Sequence, residues 1–153
     1  LNANTYKDRY PLPLIDDHID RLGKSVYFTS LDMATGFHQI PMDPESVHMT
    51  AFVTPEGHFE YLKMPYGLSN APVVYQKIIA NTLSSFIAKG KVYVYIDDVL
   101  IPSMTIEEGL ETLRDVLQTL TDAGFAINLK KCTFLAKEIE YLGRTICNGQ
   151  VSP

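Results

Sequence analysis

The sequence predicts an α+β fold in which helices cover one face of a mostly antiparallel sheet. The 153 residues are 46% hydrophobic and 20% charged, as expected for one globular domain with a substantial core. Helical and strand-like patterns follow one another as a helix, a strand, a hairpin, a helix, a hairpin, a helix and short strands. No repeat, low-complexity stretch or linker divides the sequence, so we expect a single domain.

The first two elements are an amphipathic helix and a strand. Apolar residues recur at helical spacing after Pro13 and stop at Gly23, which predicts a short helix. Residues 26–31 are rich in β-branched and aromatic side chains and end at Asp32. This pattern predicts a strand that runs into an acidic residue and then a turn.

A hairpin and a longer helix are predicted next. Residues 47–54 and 58–63 are strand-like and flank a turn containing Pro and Gly. Ser69 or Asn70 can cap the following helix, and Pro72 is tolerated in its first turn, where no backbone N–H is needed. The apolar face of this helix ends near Gly90 and comprises Val74, Ile78, Ile79, Leu83, Phe86 and Ile87.

The second hairpin carries two acidic residues at its tip. Apolar residues 92–96 and 99–101 flank Asp97 and Asp98, which predicts two short strands joined by an acidic turn. The apolar residues on both sides indicate a largely buried hairpin.

The last third of the chain contains a helix with a clear start. Thr105 and Glu108 have the spacing of a capping box, and Gly124 follows the last periodic residue. Short strands are expected after it, with Asn148-Gly149 as the turn of a terminal hairpin. The predicted core stripe of the helix comprises Leu110, Leu113, Leu117 and Leu120.

Charge, cysteine content and hydropathy exclude several classes of protein. Thirteen basic against eighteen acidic residues give a net charge of −5 and a pI near 5.3, which argues against a protein that coats phosphates. Cys132 and Cys147 lie outside any CxxC or Cys/His cluster, so reduced, partly buried thiols are favoured over a zinc site. Neither a membrane span nor a signal peptide is visible, and we expect a soluble chain that contacts no membrane.

The acidic hairpin tip suggests a cation site. Adjacent carboxylates at the end of a buried strand are unfavourable without a partner, and a divalent cation is a suitable one. Because successive strand residues point to opposite faces, Asp97 and Asp98 need a further carboxylate, and Asp32 is the candidate. Oxygen ligands favour Mg²⁺ or Mn²⁺ over zinc, and such sites serve phosphoryl transfer. On its own, an Asp-Asp pair is also an ordinary turn.

Five segments resemble a known family. Residues 28–40, 64–72 and 95–98 are similar to three successive motifs of reverse transcriptases, in the same order and at about the same spacing. The segments containing Gly-Phe-His-Gln-Ile and Gly-Leu-Ser-Asn-Ala-Pro resemble gypsy-class long-terminal-repeat retrotransposons more than vertebrate retroviruses. Residues 130–132 and 141–143 resemble the two later motifs.

The resemblance implies a fold, a reaction and partners. The fold is a ferredoxin-like polymerase palm, with partial fingers at approximately residues 1–24 and 41–64 and with thumb and RNase H absent. The reaction transfers deoxynucleotides from dNTPs to a primer 3′-hydroxyl on an RNA or DNA template, using two Mg²⁺ or Mn²⁺ ions. The remainder of a retroelement polyprotein is an implied partner, and the expected location is a virus-like particle or the cytosol. Apolar surface left for the fingers and thumb predicts self-association.

The resemblance also implies residue roles. Asp32 and Asp97 hold the metals, helped by the Met33 carbonyl and with Asp98 close by in a secondary role, and Lys131 is a cation near the departing pyrophosphate. Phe37 lies under the sugar and excludes a 2′-hydroxyl, although it is also a candidate core aromatic; Lys131 is equally a solvated residue. The nucleotide-binding residues are Met33, Ala34, Thr35, Gly36, Phe37, Tyr66 and Gly67. The primer grip comprises Tyr141, Leu142 and Gly143.

Two alternatives remain open at this level. A chain without the remaining subdomains can be a non-catalytic fragment or interaction module. Asp32 and Asp97 can also form the shared-proton dyad of an aspartic hydrolase, but Asp32-Met33-Ala34 lacks the Asp-Thr/Ser-Gly loop of that class. Arg144 and Tyr66 replace the histidine and phenylalanine that are common in the resembled family.

Overall fold

A computed structural model of the chain describes residues 1–147 and 150–152. The strands are β1 (Tyr27–Asp32), β2 (Phe52–Thr54), β3 (Gly57–Phe59), β4 (Tyr93–Tyr95), β5 (Asp98–Ser103), β6 (Thr133–Ala136), β7 (Glu138–Tyr141), β8 (Arg144–Cys147) and β9 (Gln150–Ser152). The α-helices are α1 (Ile15–Leu22), α2 (Ala71–Thr82), α3 (Ser84–Ala88) and α4 (Ile106–Asp122). Single 3₁₀ turns lie at Asn2–Asn4, Gly36–Gln39, Val47–Thr50 and Leu129–Lys131.

The main sheet is antiparallel, with the strand order β4-β5-β1-β6. Helices α2 and α3 connect β1 to β4, a tight turn joins β4 to β5, and α4 connects β5 to β6. This βαββαβ order is that of a ferredoxin-like sheet. The α+β class and the ferredoxin-like palm predicted from the sequence are therefore confirmed.

Two smaller sheets complete the fold. β2 and β3 form a hairpin of their own, and β7, β8 and β9 form an antiparallel meander. The predicted Asn148-Gly149 turn lies outside the described residues, but the strands on either side pair through Ile146 and Val151. Within residues 1–147 and 150–152, no helix is long and apolar enough to cross a membrane.

Two apolar clusters hold the layers together. The larger lies between the main sheet and the helices, and includes Leu31, Tyr75, Ile79, Val99, Val116 and Leu120. The smaller packs α1 and the β7–β9 meander against the sheet, and comprises Leu22, Phe28, Leu100, Ile139, Tyr141 and Ile146. Side chains of β1 and β5 enter both clusters, so the two central strands are buried on both faces.

Several predicted boundaries agree with the structure. The first helix ends at Leu22, immediately before Gly23. Thr105 caps α4 by accepting a hydrogen bond from the Glu108 amide at 3.2 Å, and the Glu108 carboxylate accepts one from the Met104 amide at 3.1 Å. Asn70 occupies the N-cap of α2 but makes no cap bond, since its side chain instead bonds the backbone of Tyr6 and Asp8.

The predicted first hairpin is shorter than its pattern. Val47–Thr50 is a 3₁₀ turn, because the Thr50 hydroxyl donates to the Val47 carbonyl at 2.6 Å and so favours the turn. The same hydroxyl accepts from the Tyr61 amide at 2.9 Å, which ties the two arms together beyond the strands. The second strand of the hairpin, β3, ends at Phe59.

The long central helix is interrupted at Leu83. The Thr82 hydroxyl bonds the Ile78 carbonyl at 2.8 Å, and Leu83 leaves helical geometry before α3 begins. In α4, the side chain of Leu110 is 49% exposed, whereas Gly109 faces the sheet. A Cβ at Gly109 would lie 2.6 Å from Leu135 Cδ2, so the close approach of helix and sheet there requires glycine.

Candidate functional site

Asp32 and Asp98 face each other across the two central strands. Asp32 ends β1, Asp98 begins β5, and the antiparallel register pairs them directly. Cross-strand partners point to the same face of a sheet, so the two carboxylates share one side. Asp97 lies in the adjoining β4–β5 turn and is exposed, whereas Asp32 and Asp98 are half-buried. The strand partner of Asp32 is therefore Asp98, and Asp97 lies next to this pair in the turn. The roles of the three carboxylates as metal ligands stay predictions.

The β4–β5 turn has a strained backbone. Tyr95 pairs with Asp98, so Ile96 and Asp97 form a two-residue loop, and Ile96 has φ of +55°. A positive φ is rare for a β-branched residue and costs roughly 1–2 kcal/mol. This loop determines the position of Asp97. Contacts from elsewhere in the fold must therefore stabilise its strained backbone.

Gln76 on α2 holds this turn. Its side chain is 2% exposed; it accepts a hydrogen bond from the Ile96 amide and donates one to the Val94 carbonyl at 3.3 Å. The amide thus bonds the backbone on both sides of Tyr95. The sequence does not single out Gln76, because its helix position does not reveal the two backbone partners.

The charges of this cluster are not balanced within the protein. Burial, followed by the negative charges of Asp97 and Asp32, raises the pKa of Asp98 above its usual range. None of the three carboxylates forms an ion pair with a basic side chain in the described part of the chain. In the same part, no three His, Cys, Asp or Glu side chains are close enough to hold one metal ion. The donor set suits a hard cation, but the carboxylates have to turn toward one another to bind it.

The loop after Asp32 is anchored from a distant segment. Thr35 and Gly36 have φ of +54° and +42°, so the chain reverses immediately after Ala34. The Gln39 side chain bonds the Ala126 backbone in both directions, at 2.6 and 3.0 Å, and also the Ala34 carbonyl. These bonds hold residues 34–39 beside the carboxylates.

An aromatic cluster lies next to this loop. The Phe37 ring is 5.2 Å from that of Tyr66 and 5.4 Å from that of Tyr75, and the Tyr66 hydroxyl approaches Gly36. Tyr66 is exposed, Phe37 is half-buried and Tyr75 is fully buried. Phe37 therefore both packs against the core and reaches the surface beside the acidic residues. Gly67, which follows Tyr66, has φ of +89°.

The Tyr75 hydroxyl is buried and has no hydrogen-bond partner among the described residues. Burial, then the charges of Asp97, Tyr66 and Asp32, raise the pKa of this phenol, which stays protonated. The group is therefore a buried hydrogen-bond donor without an acceptor among the described residues, next to Phe37. The sequence motif did not single out Tyr75.

Lys131 lies close to β1 in space. It ends the Leu129–Lys131 turn and its side chain is exposed. The preceding Asn128 donates its amide to the Asp32 carbonyl at 2.8 Å, and the Asp32 amide bonds the Cys132 sulfur at 3.4 Å. The structure thus brings the Lys131 segment to Asp32. Cys132 and Cys147 are free and half-buried.

The Tyr141–Leu142–Gly143 segment is a turn of the small meander. Leu142 and Gly143 have φ of +52° and +74° and connect β7 to β8. Tyr141 itself is 2% exposed and belongs to the smaller core cluster, and its hydroxyl lies 3.4 Å from His18 Nδ1. Tyr141 therefore lies in the core with the Leu142–Gly143 turn next to it, and the primer-grip role of Tyr141, Leu142 and Gly143 stays a prediction. Arg144 pairs with Asp16 of α1 at 3.3 Å.

Comparison with known proteins identifies the family. Residues 1–146 match the family described as "Reverse transcriptase (RNA-dependent DNA polymerase)". The chain is 44% identical over 153 residues to the retrovirus-related Pol polyprotein from transposon 297 of Drosophila melanogaster, covering 100% of this chain and 14% of that protein. It is 37% identical over 153 residues to the transposon Tf2-3 polyprotein of Schizosaccharomyces pombe, covering 100% of this chain and 11% of that protein.

A solved structure shows the same fold. The foamy viral protease-reverse transcriptase in complex with double-stranded DNA superposes with a TM-score of 0.90 at 24% identity, covering 98% of this chain and 26% of that one. The chain thus spans a small part of the proteins that it resembles. Its family match nevertheless extends over almost the whole sequence. The chain therefore belongs to the reverse transcriptase (RNA-dependent DNA polymerase) family.

Proposed function

We propose that the chain is the palm of an RNA-directed DNA polymerase, which transfers deoxynucleotides from dNTPs to a primer 3′-hydroxyl. The observation that carries this proposal is the pairing of Asp32 with Asp98 on the central strands, beside Asp97. Three carboxylates without a basic partner in the described chain form a site of excess negative charge. Such a site attracts divalent cations and, through them, a triphosphate.

The carboxylates and one carbonyl are the proposed metal ligands. Asp32, Asp97, Asp98 and the Met33 carbonyl would hold Mg²⁺ or Mn²⁺, and we infer two ions. A divalent cation held by these residues would supply a lower pKa for the attacking hydroxyl and charge stabilisation for the leaving pyrophosphate. Burial and the neighbouring acidic residues raise the pKa of Asp98, and a cation beside this carboxylate would lower that pKa and favour the ionised form.

The loop and the aromatic cluster form the proposed nucleotide side. The backbone of Ala34, Thr35 and Gly36 reverses there and brings amides toward a triphosphate. Phe37, held by Tyr66 and Tyr75, is the proposed barrier to a 2′-hydroxyl. The other proposed contacts are Tyr66 and Gly67 on the nucleotide side, Lys131 near the departing pyrophosphate, and Tyr141, Leu142 and Gly143 as the primer grip.

We infer that the functional partners include an RNA or DNA template-primer and the rest of a retroelement polyprotein. The structures of the foamy viral protease-reverse transcriptase are complexes with double-stranded DNA and with an RNA/DNA hybrid. The acidic chain has a net charge of −5, so a basic surface for the nucleic acid must come from elsewhere. We assign approximately residues 1–24 and 41–64 to partial fingers. A location in a virus-like particle or the cytosol stays a prediction.

Primer extension tests the proposal. The chain is incubated with template-primer, dNTPs and Mg²⁺ or Mn²⁺, and we expect templated incorporation. Asp97→Asn should lower the rate by roughly 1,000-fold, as expected for losing several kcal/mol of charge stabilisation. Asp115→Asn on the exposed side of α4 is the matched control and should leave the rate unchanged. Equal rates for the two variants would contradict the assignment of Asp97.

A non-catalytic module is the second candidate. It is favoured by the spacing of the acidic side chains. Among the described residues, no three His, Cys, Asp or Glu side chains are close enough together to hold one metal ion. The two functions differ in a Mn²⁺ titration followed by amide NMR. Broadening confined to Asp32, Met33, Asp97 and Asp98 supports the polymerase site. Absent broadening in a folded chain, with no incorporation at any Mn²⁺ concentration, supports the module.

A further inference from the structure

Two buried hydroxyls lack a hydrogen-bond partner within the described residues, those of Tyr75 and Ser103. A buried polar group left unbonded costs about 1–3 kcal/mol, so each one calls for a reason. Ser103 ends β5, at the opposite end from Asp98, and its hydroxyl lies against Gly109 of α4. Tyr75 lies near the end of the sheet where the β4–β5 turn carries Asp97. The Ser103 hydroxyl is therefore a control for an unbonded hydroxyl far from that turn.

The position of Tyr75 is fixed from two sides. Its ring makes an edge contact with Phe37, with centroids 5.4 Å apart. The next residue, Gln76, bonds the Ile96 amide and the Val94 carbonyl, so this turn of α2 is fastened to the loop that carries Asp97. The phenol also experiences the charges of Asp97 and Asp32. A rigidly placed donor without an acceptor among the described residues thus lies next to the residue that holds the Asp97 turn.

The carboxylates have an unmet requirement of their own. They must approach one another before they can hold a cation, since no three of them do so in the described structure. A carboxylate that ligates a metal is itself usually hydrogen-bonded by a neighbouring group, which fixes its orientation. Tyr75 has such a donor unused, and the residue after it bonds the turn that carries Asp97.

We propose that Tyr75 is a positioning residue for the metal ligands, whose hydroxyl donates a hydrogen bond to the Asp97 carboxylate when that carboxylate turns inward to hold a divalent cation. This inference rests on the proposed metal site. It explains why a polar group is kept in the core without a partner in the metal-free chain. The benefit of the hydroxyl appears only in the cation-bound state, and its removal should not weaken the free protein.

Manganese affinity, measured by electron paramagnetic resonance on the 153-residue chain, tests the proposal. Tyr75→Phe keeps the ring and removes only the hydroxyl, and we expect Mn²⁺ affinity to fall about 10-fold. The melting temperature of the metal-free variant should be unchanged or higher, because no bond is lost. Ser103→Ala, which removes the other unbonded hydroxyl, should leave Mn²⁺ affinity unchanged.

The outcomes separate this inference from the metal site itself. If wild type binds Mn²⁺ more tightly than Asp32→Asn and Tyr75→Phe binds like wild type, the site exists and the role of Tyr75 is wrong. If wild type and Asp32→Asn bind Mn²⁺ alike, the metal site fails and the role of Tyr75 with it. A clear loss of metal-free stability in Tyr75→Phe would mean that the hydroxyl serves the free fold, which also overturns the proposal.

Discussion

Gln76 links one buried side chain to the placement of a candidate metal ligand. Its carboxamide satisfies an N–H and a carbonyl of the turn that precedes Asp97. The positive φ of Ile96 persists because the surrounding structure holds it there. Residues with unusual backbone geometry near functional groups commonly depend on such contacts.

Truncating this side chain is expected to destabilise the fold. Gln76→Ala leaves the Ile96 amide and the Val94 carbonyl unbonded inside the protein, which predicts a loss of about 2–4 kcal/mol in the free energy of unfolding. Urea denaturation measures it. Gln118→Ala, which removes only an exposed bond to Asp122, should change that free energy by less than about 0.5 kcal/mol. Similar losses in both variants would contradict the role of Gln76.

At the scale of elements, His18 contacts both the main sheet and the β7–β9 meander from α1, beside the buried Leu22. The imidazole lies 3.4 Å from the Tyr141 hydroxyl, and its ring makes an edge contact with Tyr93 at 5.1 Å. Burial, followed by the positive charge of Arg21, lowers the pKa of His18, and Asp17 opposes the shift. The folded chain therefore prefers the neutral imidazole.

This preference predicts a stability that depends on pH. Below the unfolded pKa of about 6.5, unfolded chains take up a proton that the folded chain resists, so stability falls as pH drops through the lowered folded pKa. Above about 6.5 the contribution is complete. His18→Phe keeps an aromatic ring without a titratable group, and its stability should fall less than that of wild type between pH 7.5 and pH 5. Urea midpoints at the two pH values measure this, and parallel curves would contradict it.

At the scale of the whole molecule, the β2–β3 hairpin exposes an aromatic face. The Phe52 ring is 5.8 Å from that of Phe59 and 5.2 Å from that of Tyr61, and each of the three side chains is at least 38% exposed. Contiguous exposed apolar surface favours association. We therefore predict self-association of the chain through this hairpin.

Sedimentation at increasing concentration checks that prediction. Replacing Phe52 and Phe59 by threonine keeps strand propensity and should shift the chain toward monomer. The matched control replaces Val53 and His58, the pair on the opposite face, by threonine. A wild-type chain that stays monomeric at high concentration would contradict the prediction.

The sequence predicted those features that local patterns determine. The cap at Thr105 and the acidic hairpin both follow from neighbouring residues, and the family motifs add the βαββαβ order. It could not predict that Asp98 is the strand partner of Asp32, because register depends on how the whole sheet packs. Nor could it find the bonds of Gln39 to Ala126, which join segments 87 residues apart. Nor could the sequence reveal that the Tyr75 hydroxyl is buried without a hydrogen-bond partner among the described residues.

The pairing of β1 with β5 also constrains when the site can exist during synthesis. Asp32 leaves the ribosome long before Asp98, and the β1 strand has neither of its sheet neighbours until β5 and β6 have followed. Because the long-range pairing must close a large loop, we expect it to form late in folding. A nascent chain whose β5 has not yet emerged would therefore carry Asp32 without its strand partner, and the proposed cation site could form only after β5 has paired with β1.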